Sequence, residues 1–234
     1  MQVVYEDNHI IIVNKESGEI VQGDKTGDTP LSDIVKQYIK EKYQKPGNVF
    51  LGVAHRLDRP VSGLVVFAKT SKALTRLNAM FAANEVHKTY WAIVEMGNEK
   101  GEPLALIPHS SFETITHWLV RNEQQNKSYA YDHEVPRSKK AQLRYRVIGR
   151  GDRYVLVEVQ LLTGRHHQIR CQLSTIGHPI KGDLKYGARR SNADGSISLL
   201  SRRVEFVHPV SKEPISVEAP LPNDSLWESL VKVI

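Results

Sequence analysis

Two neighbouring stretches of alternating apolar residues constrain the fold of this chain more than any other feature. In the first stretch, Leu143, Tyr145 and Val147 face one way, and residues 155–161 repeat the alternation. Apolar residues at every second position predict half-buried β-strands. The turn residues at 149–152 predict that the two strands form a hairpin. We therefore expect a sheet with antiparallel neighbours.

Further strands and helices follow from the same kind of pattern. Short strands are predicted at residues 3–5, 10–13, 63–69, 88–95, 197–207 and 215–218. Apolar residues three and four apart predict helices after Thr29 and Ser71, both good N-cap residues, and also from Gly164 and after Asn223. Strands outnumber helices and are often joined by hairpins. This predicts an α+β domain around a mixed, largely antiparallel sheet with flanking helices.

The pattern weakens between residues 98 and 140. This stretch holds an isolated strand candidate at 114–120 and a polar run at 122–129. We interpret it as a variable insertion or long loop region and not as a linker between domains. The chain is accordingly predicted to form a single domain over residues 1–234.

Composition limits the partners and the compartment. The 234 residues carry 32 Lys and Arg against 26 Asp and Glu, which gives a net charge of +6. A basic surplus suits a polyanionic partner, but a merely solvated surface gives the same charge. The one cysteine, Cys171, excludes a disulfide within the chain and fits a reducing compartment. With no apolar run of membrane-spanning length and no secretory signal pattern, we expect a cytoplasmic protein and no membrane partner.

The densest group of reactive side chains lies at residues 55–63, His-Arg-Leu-Asp-Arg-Pro-Val-Ser-Gly. Arg56 and Arg59 flank Asp58, and their charges favour the ionised carboxylate that a nucleophile requires. Pro60 and Gly63 predict a turn that would hold this carboxylate in front of the next strand. A surface ion pair in a tight turn fits the same residues and is the commoner arrangement on composition alone.

A second polar segment, residues 162–170, places two arginines, two histidines and a glutamine in one loop and helix start. His166 and Arg170 are one helical turn apart, so they are predicted to face the same way. A helix start that carries Arg and His suits phosphate. Adjacent histidines diverge on a helix and no further ligand spacing is present, so no metal site is expected. A solvated polar helix face remains the alternative.

The third segment is Lys88-Thr89-Tyr90, on a predicted strand. A strand would fix the ring of Tyr90, and an immobilised aromatic ring can stack on a base displaced from RNA. A core tyrosine with a satisfied hydroxyl group is the commoner explanation of an isolated strand tyrosine.

Together these segments resemble the RluA family of pseudouridine synthases. The family's first signature is His-Arg-Leu-Asp, two variable residues and then Thr-Ser-Gly-Leu, and the chain has HRLDRPVSGL at 55–64. The second signature, Lys-x-Tyr, is matched by KTY at 88–90. The third, Leu-x-Thr-Gly-Arg-x-His-Gln-Ile-Arg, is matched by LLTGRHHQIR at 161–170. NKESG at 14–18, GHPIKGDLKYG at 177–187 and VEFVHP at 204–209 are similar to further family stretches. Val61, Glu16 and Leu200 replace the usual Thr, Pro and His.

The resemblance implies the pseudouridine synthase catalytic fold, with a central RNA-binding cleft. It implies an isomerase that converts chosen uridines of ribosomal or transfer RNA to pseudouridine, as a monomer and without a metal, nucleotide or redox cofactor. The family pattern begins at the first residues, so we expect no separate RNA-binding domain before it.

The resemblance also implies a role for each of seven residues. Asp58 would be the catalytic nucleophile, Arg170 its ion-pair partner, and Tyr90 the residue stacked under the target uracil. Arg56 would fill the stack when the uridine is flipped out. The other RNA-binding residues would be Lys88, Arg165 and His167. Arg170→Ala is expected to lose activity and keep the fold.

Two other function classes remain open. One is a non-catalytic RNA-binding or ribosome-assembly protein on the same fold, which the intact Asp58, Tyr90 and Arg170 disfavour. The other is a metal-dependent hydrolase that uses the histidines, which their spacing disfavours.

Overall fold

A computed structural model describes residues 1–96 and 111–232. The chain divides into two compact units, one of Met1–Lys88 with Ser201–Pro220, the other of Thr89–Leu200 with Leu221–Ile234. The single domain predicted over residues 1–234 stays a prediction. Among the helices of the described residues, none has the length and apolar character needed to cross a membrane.

Strands and helices occur in nearly the order that the sequence predicts. The strands are β1 (Gln2–Glu6), β2 (Ile10–Lys15), β3 (Gly52–Val53), β4 (Ser62–Ala68), β5 (His87–Glu95), β6 (Glu113–Asn122), β7 (Lys127–Tyr131), β8 (Lys139–Arg150), β9 (Tyr154–Leu161), β10 (Leu199–Val207) and β11 (Pro214–Glu218). The helices are α1 (Leu31–Lys42), α2 (Ser71–Ala82), α3 (Gln168–Thr175) and α4 (Ser225–Val231). The predicted α+β class is confirmed.

The first unit is built on the strand order β1-β2-β4-β10, with β3 also paired to β4 and β11 paired to β10. Residues 10–13 of β2 and 64–68 of β4 are fully buried. Helix α1 covers this core with Leu31, Val35 and Ile39. Continuous apolar runs in β2 and β4 are what strands buried on both faces require.

Both helices of this unit begin one residue away from the predicted cap. The N-cap position of α1 is Pro30 and not Thr29, and no side chain caps it. The amides of Leu31 and Ser32 instead donate to the carbonyls of Ile20 and Val21, at 2.7 and 3.1 Å. In α2 the cap is Thr70, whose side chain accepts from the Ala73 amide, and not Ser71.

The second unit is an antiparallel sheet in the order β5-β9-β8-β6-β7. The predicted hairpin of β8 and β9 is confirmed, with Tyr145 opposite Val159 and Val147 opposite Val157. Helix α3 packs against β6 and β7 through a small core of Leu119, Ala141, Cys171 and Tyr186.

The long loop predicted at 98–140 is wrong for residues 111–140, which form β6, β7 and the start of β8. The strand candidate at 114–120 is confirmed as part of β6, and the insertion stays a prediction. Residues 98–110 lie outside the described residues. Strand β7 escaped the sequence analysis because its residues, Lys-Ser-Tyr-Ala-Tyr, are mostly polar and half exposed. Such a strand lacks the apolar alternation that identifies β-structure in a sequence.

Candidate active site

Asp58 lies in the loop between β3 and β4, where its side chain is half-buried. Its carbonyl oxygen accepts from the Val61 amide at 3.0 Å, which closes a turn directly before β4. Gly63 follows with a φ of 113°, and a β-carbon there would lie 2.6 Å from the Ser201 amide nitrogen. Since only glycine tolerates this approach, Gly63 fixes the turn of Asp58 against β10.

Lys15, at the end of β2, binds the same turn from behind. Its side chain is fully buried, and Nζ donates to the carbonyls of Glu16, Arg59 and Val61 at 2.9, 3.0 and 2.6 Å. Burial lowers the pKa of Lys15 to about 8, although the negative charges of Glu19 and Asp58 act in the opposite direction and raise this pKa. The ammonium therefore anchors the turn and lies within electrostatic reach of Asp58.

His55 anchors the start of the same loop. Its Nε2 accepts from the Val66 amide of β4 at 2.9 Å, so the proton of the neutral ring lies on Nδ1. Burial, and then the charge of Lys88, lower the pKa of His55 to about 3. The ring lies 4.8 Å from that of Phe81. His55 is thus a neutral structural residue at pH 7.

Lys88 and Arg56 are placed differently from one another. The Lys88 ammonium lies 5.2 Å from the centre of the Phe81 ring, half-buried, and burial lowers its pKa. Arg56 is exposed.

Next to Asp58, Arg59 pairs with Asp28 at 2.5 Å and donates to the Thr26 hydroxyl at 2.9 Å. Arg59 therefore fastens the loop of residues 24–28 to the turn.

In the second unit, Tyr90 lies on β5 opposite Val159 of β9, and only 7% of its surface is exposed. The strand pairing holds its backbone on both sides of this position, because Thr89 and Trp91 are also in register with β9. The predicted position of Tyr90 on a strand is confirmed, and the stacking of its ring on a base stays a prediction.

The loop before α3 is organised by Gln168. Its Oε1 accepts from the Thr163 hydroxyl at 2.8 Å and from the Arg165 amide at 2.9 Å, and its Nε2 donates to the Gln142 carbonyl at 3.0 Å. Arg165 is exposed, and its Nε donates to the Lys140 carbonyl at 3.0 Å. One buried amide side chain thus ties the loop to β8.

Arg170 forms a bidentate ion pair with Asp183. Nε lies 2.7 Å from Oδ2 and Nη2 lies 2.9 Å from Oδ1, and both side chains are buried. The guanidinium also lies over the ring of Tyr186, 5.1 Å from its centre. A charge-assisted pair in this geometry fixes the direction of the guanidinium group.

His167 is also held in place by Tyr186. Its Nδ1 lies 3.0 Å from the Tyr186 hydroxyl, which accepts from the Ser128 amide at 2.8 Å. Burial raises the pKa of Tyr186, so the phenol keeps its proton and can donate it to Nδ1. His167 is 8% exposed. It supports the loop in this structure, and its contact with RNA stays a prediction.

The predicted helix is present as α3, but its predicted start at Gly164 is wrong, because the helix begins at Gln168. His167 occupies the N-cap position in the left-handed conformation, with a φ of 51°. This turn stacks the rings of His166 and His167 at 3.8 Å. The expectations that His166 shares a helix face with Arg170, and that the two histidines diverge, are therefore also wrong. Within residues 1–96 and 111–232, no three metal-ligating side chains are grouped to hold an ion.

Sequence reasoning missed three supporting residues, namely Lys15, Gln168 and Asp183. All three lie inside stretches that resemble the family, at 14–18, 161–170 and 177–187. Lys15 and Asp183 have partners 44 and 13 residues away, so no local pattern marks them. For these two residues, the burial of a charged side chain would have been the signal, and that burial appears only with the fold. Gln168 binds Thr163 and Arg165 within its own loop, but the sequence does not show these contacts.

Comparison with known proteins decides the family. The family model described as RNA pseudouridylate synthase matches residues 9–175. The chain belongs to this family. The predicted RluA-type resemblance is thereby confirmed, and it includes the whole of the Asp58 turn and the loop before α3.

Similar RNA pseudouridylate synthases come from bacteria and from human. The chain is 32% identical over 238 residues to ribosomal large subunit pseudouridine synthase C of Vibrio vulnificus, covering 99% of this chain and 68% of that protein. It is 28% identical to tRNA pseudouridine synthase C of Vibrio cholerae, covering 99% and 94%. The Vibrio cholerae ribosomal enzyme is covered to 65%, so the chain spans about two thirds of such relatives.

A solved structure supports the fold. Human RNA Pseudouridylate Synthase Domain Containing 4 matches with a TM-score of 0.76 at 21% identity, over 99% of this chain and 92% of that one. The predicted pseudouridine synthase fold is confirmed.

Proposed function

We propose that this chain is an RNA pseudouridine synthase that isomerises specific uridines of ribosomal or transfer RNA, with Asp58 as its nucleophile. The observation that carries the proposal is the support of the Asp58 turn. The fully buried Lys15 donates hydrogen bonds to the carbonyls of Arg59 and Val61 in this turn. At Gly63, where β4 follows the turn, any larger residue would overlap the backbone of Ser201. Rigid support of the half-buried Asp58 carboxylate is what a catalytic group requires.

The reaction is an isomerisation within one nucleotide. The bond from uracil N1 to ribose C1′ breaks, the base turns, and a bond from C5 to C1′ forms. C5 loses its proton and N1 gains one, so no oxidant or reductant takes part. Breaking the glycosidic bond develops positive charge on the sugar, which the Asp58 carboxylate stabilises or traps.

Three further residues act around Asp58 in this proposal. Arg170 is its ion-pair partner, and the bidentate contact with Asp183 would hold the guanidinium ready for this role. Tyr90 stacks under the uracil with a ring that its strand immobilises. Arg56 replaces the flipped uridine in the stack. Lys88, Arg165 and His167 contact the RNA.

The cellular setting belongs to the same proposal. We propose a cytoplasmic monomer. The single Cys171 can form no disulfide within the chain, which suits a reducing compartment.

One assay tests the function. RNA labelled with tritium at uracil C5 is incubated with the wild-type protein, with Asp58→Ala, and with wild type plus a metal chelator. Tritium release by wild type, with or without chelator, and none by Asp58→Ala is the expected result. RNA binding without release would favour a non-catalytic RNA-binding protein, and release abolished by chelator would favour a metal-dependent enzyme.

A further inference from the structure

A basic cavity lies in the second unit, at the end of β5 and the start of β9. Its volume is about 370 Å³, and it is lined by Glu95, Met96, Arg153, Tyr154, Arg189 and Arg190. Strand pairing builds two of its walls, because Glu95 is in register with Tyr154 and the Met96 amide donates to the Arg153 carbonyl at 3.1 Å. The cavity is therefore part of the sheet framework.

The cavity carries more positive than negative charge. Its lining holds three arginines and one carboxylate. Glu95 is already engaged by Arg189, whose amide donates to Oε1 at 3.0 Å and whose Nε lies 3.6 Å from Oε2. In the described part of the chain, the side chains of Arg153 and Arg190 form neither ion pairs nor hydrogen bonds. Among residues 1–96 and 111–232, no carboxylate pairs with either of these two guanidinium groups.

Guanidinium groups in this arrangement suit phosphate. Arginine binds phosphate oxygens through two parallel hydrogen bonds, and a cavity of several hundred Å³ is large enough for a nucleotide-sized group. Tyr154 adds an aromatic side chain to the wall. Basic side chains beside an aromatic residue are typical of surfaces that follow an RNA backbone.

We infer that Arg153 and Arg190 bind a backbone phosphate of the substrate RNA, in a subsite separate from the residues assigned to catalysis above. This inference rests on the proposed function, since it takes its ligand from the RNA substrate. Such contacts act on every RNA sequence alike, because phosphate carries no base information. The subsite would therefore position the RNA and would not select the target uridine.

The inference is tested by the salt dependence of RNA binding. A fluorescein-labelled RNA stem-loop serves as probe, and its affinity is measured by fluorescence anisotropy over a series of KCl concentrations. For the double variant Arg153→Ala/Arg190→Ala, the slope of log K against log[KCl] should become shallower by about 0.7 to 0.9, which is the contribution of one neutralised phosphate. Arg153→Lys/Arg190→Lys should keep most of the slope, because lysine retains the charge.

Lys36→Ala/Lys40→Ala on α1 is the matched control, because it removes the same charge from the first unit, at the half-exposed Lys36 and the exposed Lys40. Its slope should equal that of the wild type. An unchanged slope in the double arginine variant, or an equal loss in the control, would overturn the subsite. Tritium release by wild type, measured alongside, keeps the two proposals apart: release with an unchanged slope contradicts the subsite alone, whereas neither release nor RNA binding contradicts the function itself.

Discussion

Arg170 and Asp183 form a buried bidentate ion pair, with 2.7 Å from Nε to Oδ2 and 2.9 Å from Nη2 to Oδ1. The resemblance to the family implies one partner for Arg170, Asp58, and implies that Arg170→Ala keeps the fold. The pair with Asp183 changes that expectation, because removing the arginine leaves a buried carboxylate without its counter-ion. A loss of activity in Arg170→Ala must therefore be separated from a loss of stability.

Asp183→Asn should destabilise the protein by about 3–5 kcal/mol, the usual effect of breaking a buried ion pair from one side. Asp33→Asn is the control, because Asp33 forms an exposed pair with Lys36 at 3.1 Å. This control should change stability by no more than about 1 kcal/mol. Urea unfolding measures both variants, and equal effects would show that the Arg170 pair contributes no more than a surface contact.

Lys15→Met should lower turnover more than RNA affinity. The methionine fills a similar volume but donates no hydrogen bond to the carbonyls of Glu16, Arg59 and Val61. Each buried carbonyl left without a donor costs about 1–3 kcal/mol, so the Asp58 turn should relax. Single-turnover rates and RNA affinity are measured for Lys15→Met and for Lys36→Met on the surface of α1. A wild-type rate in Lys15→Met would contradict a positioning role for Lys15.

His55 should make stability depend on pH in the acid range. Burial, with the charge of Lys88, lowers its pKa from 6.5 to about 3. Between these values the unfolded chain binds a proton that the folded protein does not, so stability falls as the pH decreases from 6.5 towards 3. The contribution is at most about 1.4 kcal/mol per pH unit.

His55→Gln is the comparison, because its amide oxygen can still accept from Val66 while the side chain does not titrate. Urea unfolding from pH 7 to pH 4 should give a shallower slope for this variant than for the wild type. Parallel slopes would mean that His55 is not held neutral in the folded protein.

Gly63→Ala should be far more harmful than Gly18→Ala. Both glycines have a positive φ, 113° and 89°, so both substitutions strain the backbone. A β-carbon meets nothing within 4 Å at Gly18 but overlaps the Ser201 backbone at Gly63. The overlap should add about 1–3 kcal/mol, and thermal unfolding of the two variants measures the difference. Similar melting temperatures would show that β4 and β10 can move apart at little cost.

Local patterns in the sequence predicted the strands and helices wherever apolar residues repeat regularly, as in the hairpin of β8 and β9. They failed at β7, whose side chains are mostly polar and half exposed. They also failed at the start of α3, where His167 adopts a left-handed conformation. An amphipathic pattern shows which face of a helix is buried, but it does not show at which residue the helix begins.

Sequence motifs predicted the residues of the candidate site, but they did not predict the residues that hold these side chains in place. Asp58 and Tyr90 stand in short signatures that the sequence displays directly. Lys15 and Asp183 act through partners 44 and 13 residues away. Which charge is buried, and against which partner, depends on how the chain folds back on itself, and this pairing has no local signature.

The central claim is that Asp58 is the nucleophile, and Asp58→Asn tests it most directly. Asparagine keeps the size of the side chain and one acceptor oxygen, but it removes the charge and the second carboxylate oxygen. Pseudouridine formed in a single turnover is measured by chromatography of the digested RNA, with Asp33→Asn as control. The account predicts a rate lower by on the order of 1000-fold or more for Asp58→Asn, with RNA affinity, stability and the control near wild type. A stable, RNA-binding Asp58→Asn protein that forms pseudouridine at the wild-type rate would contradict it.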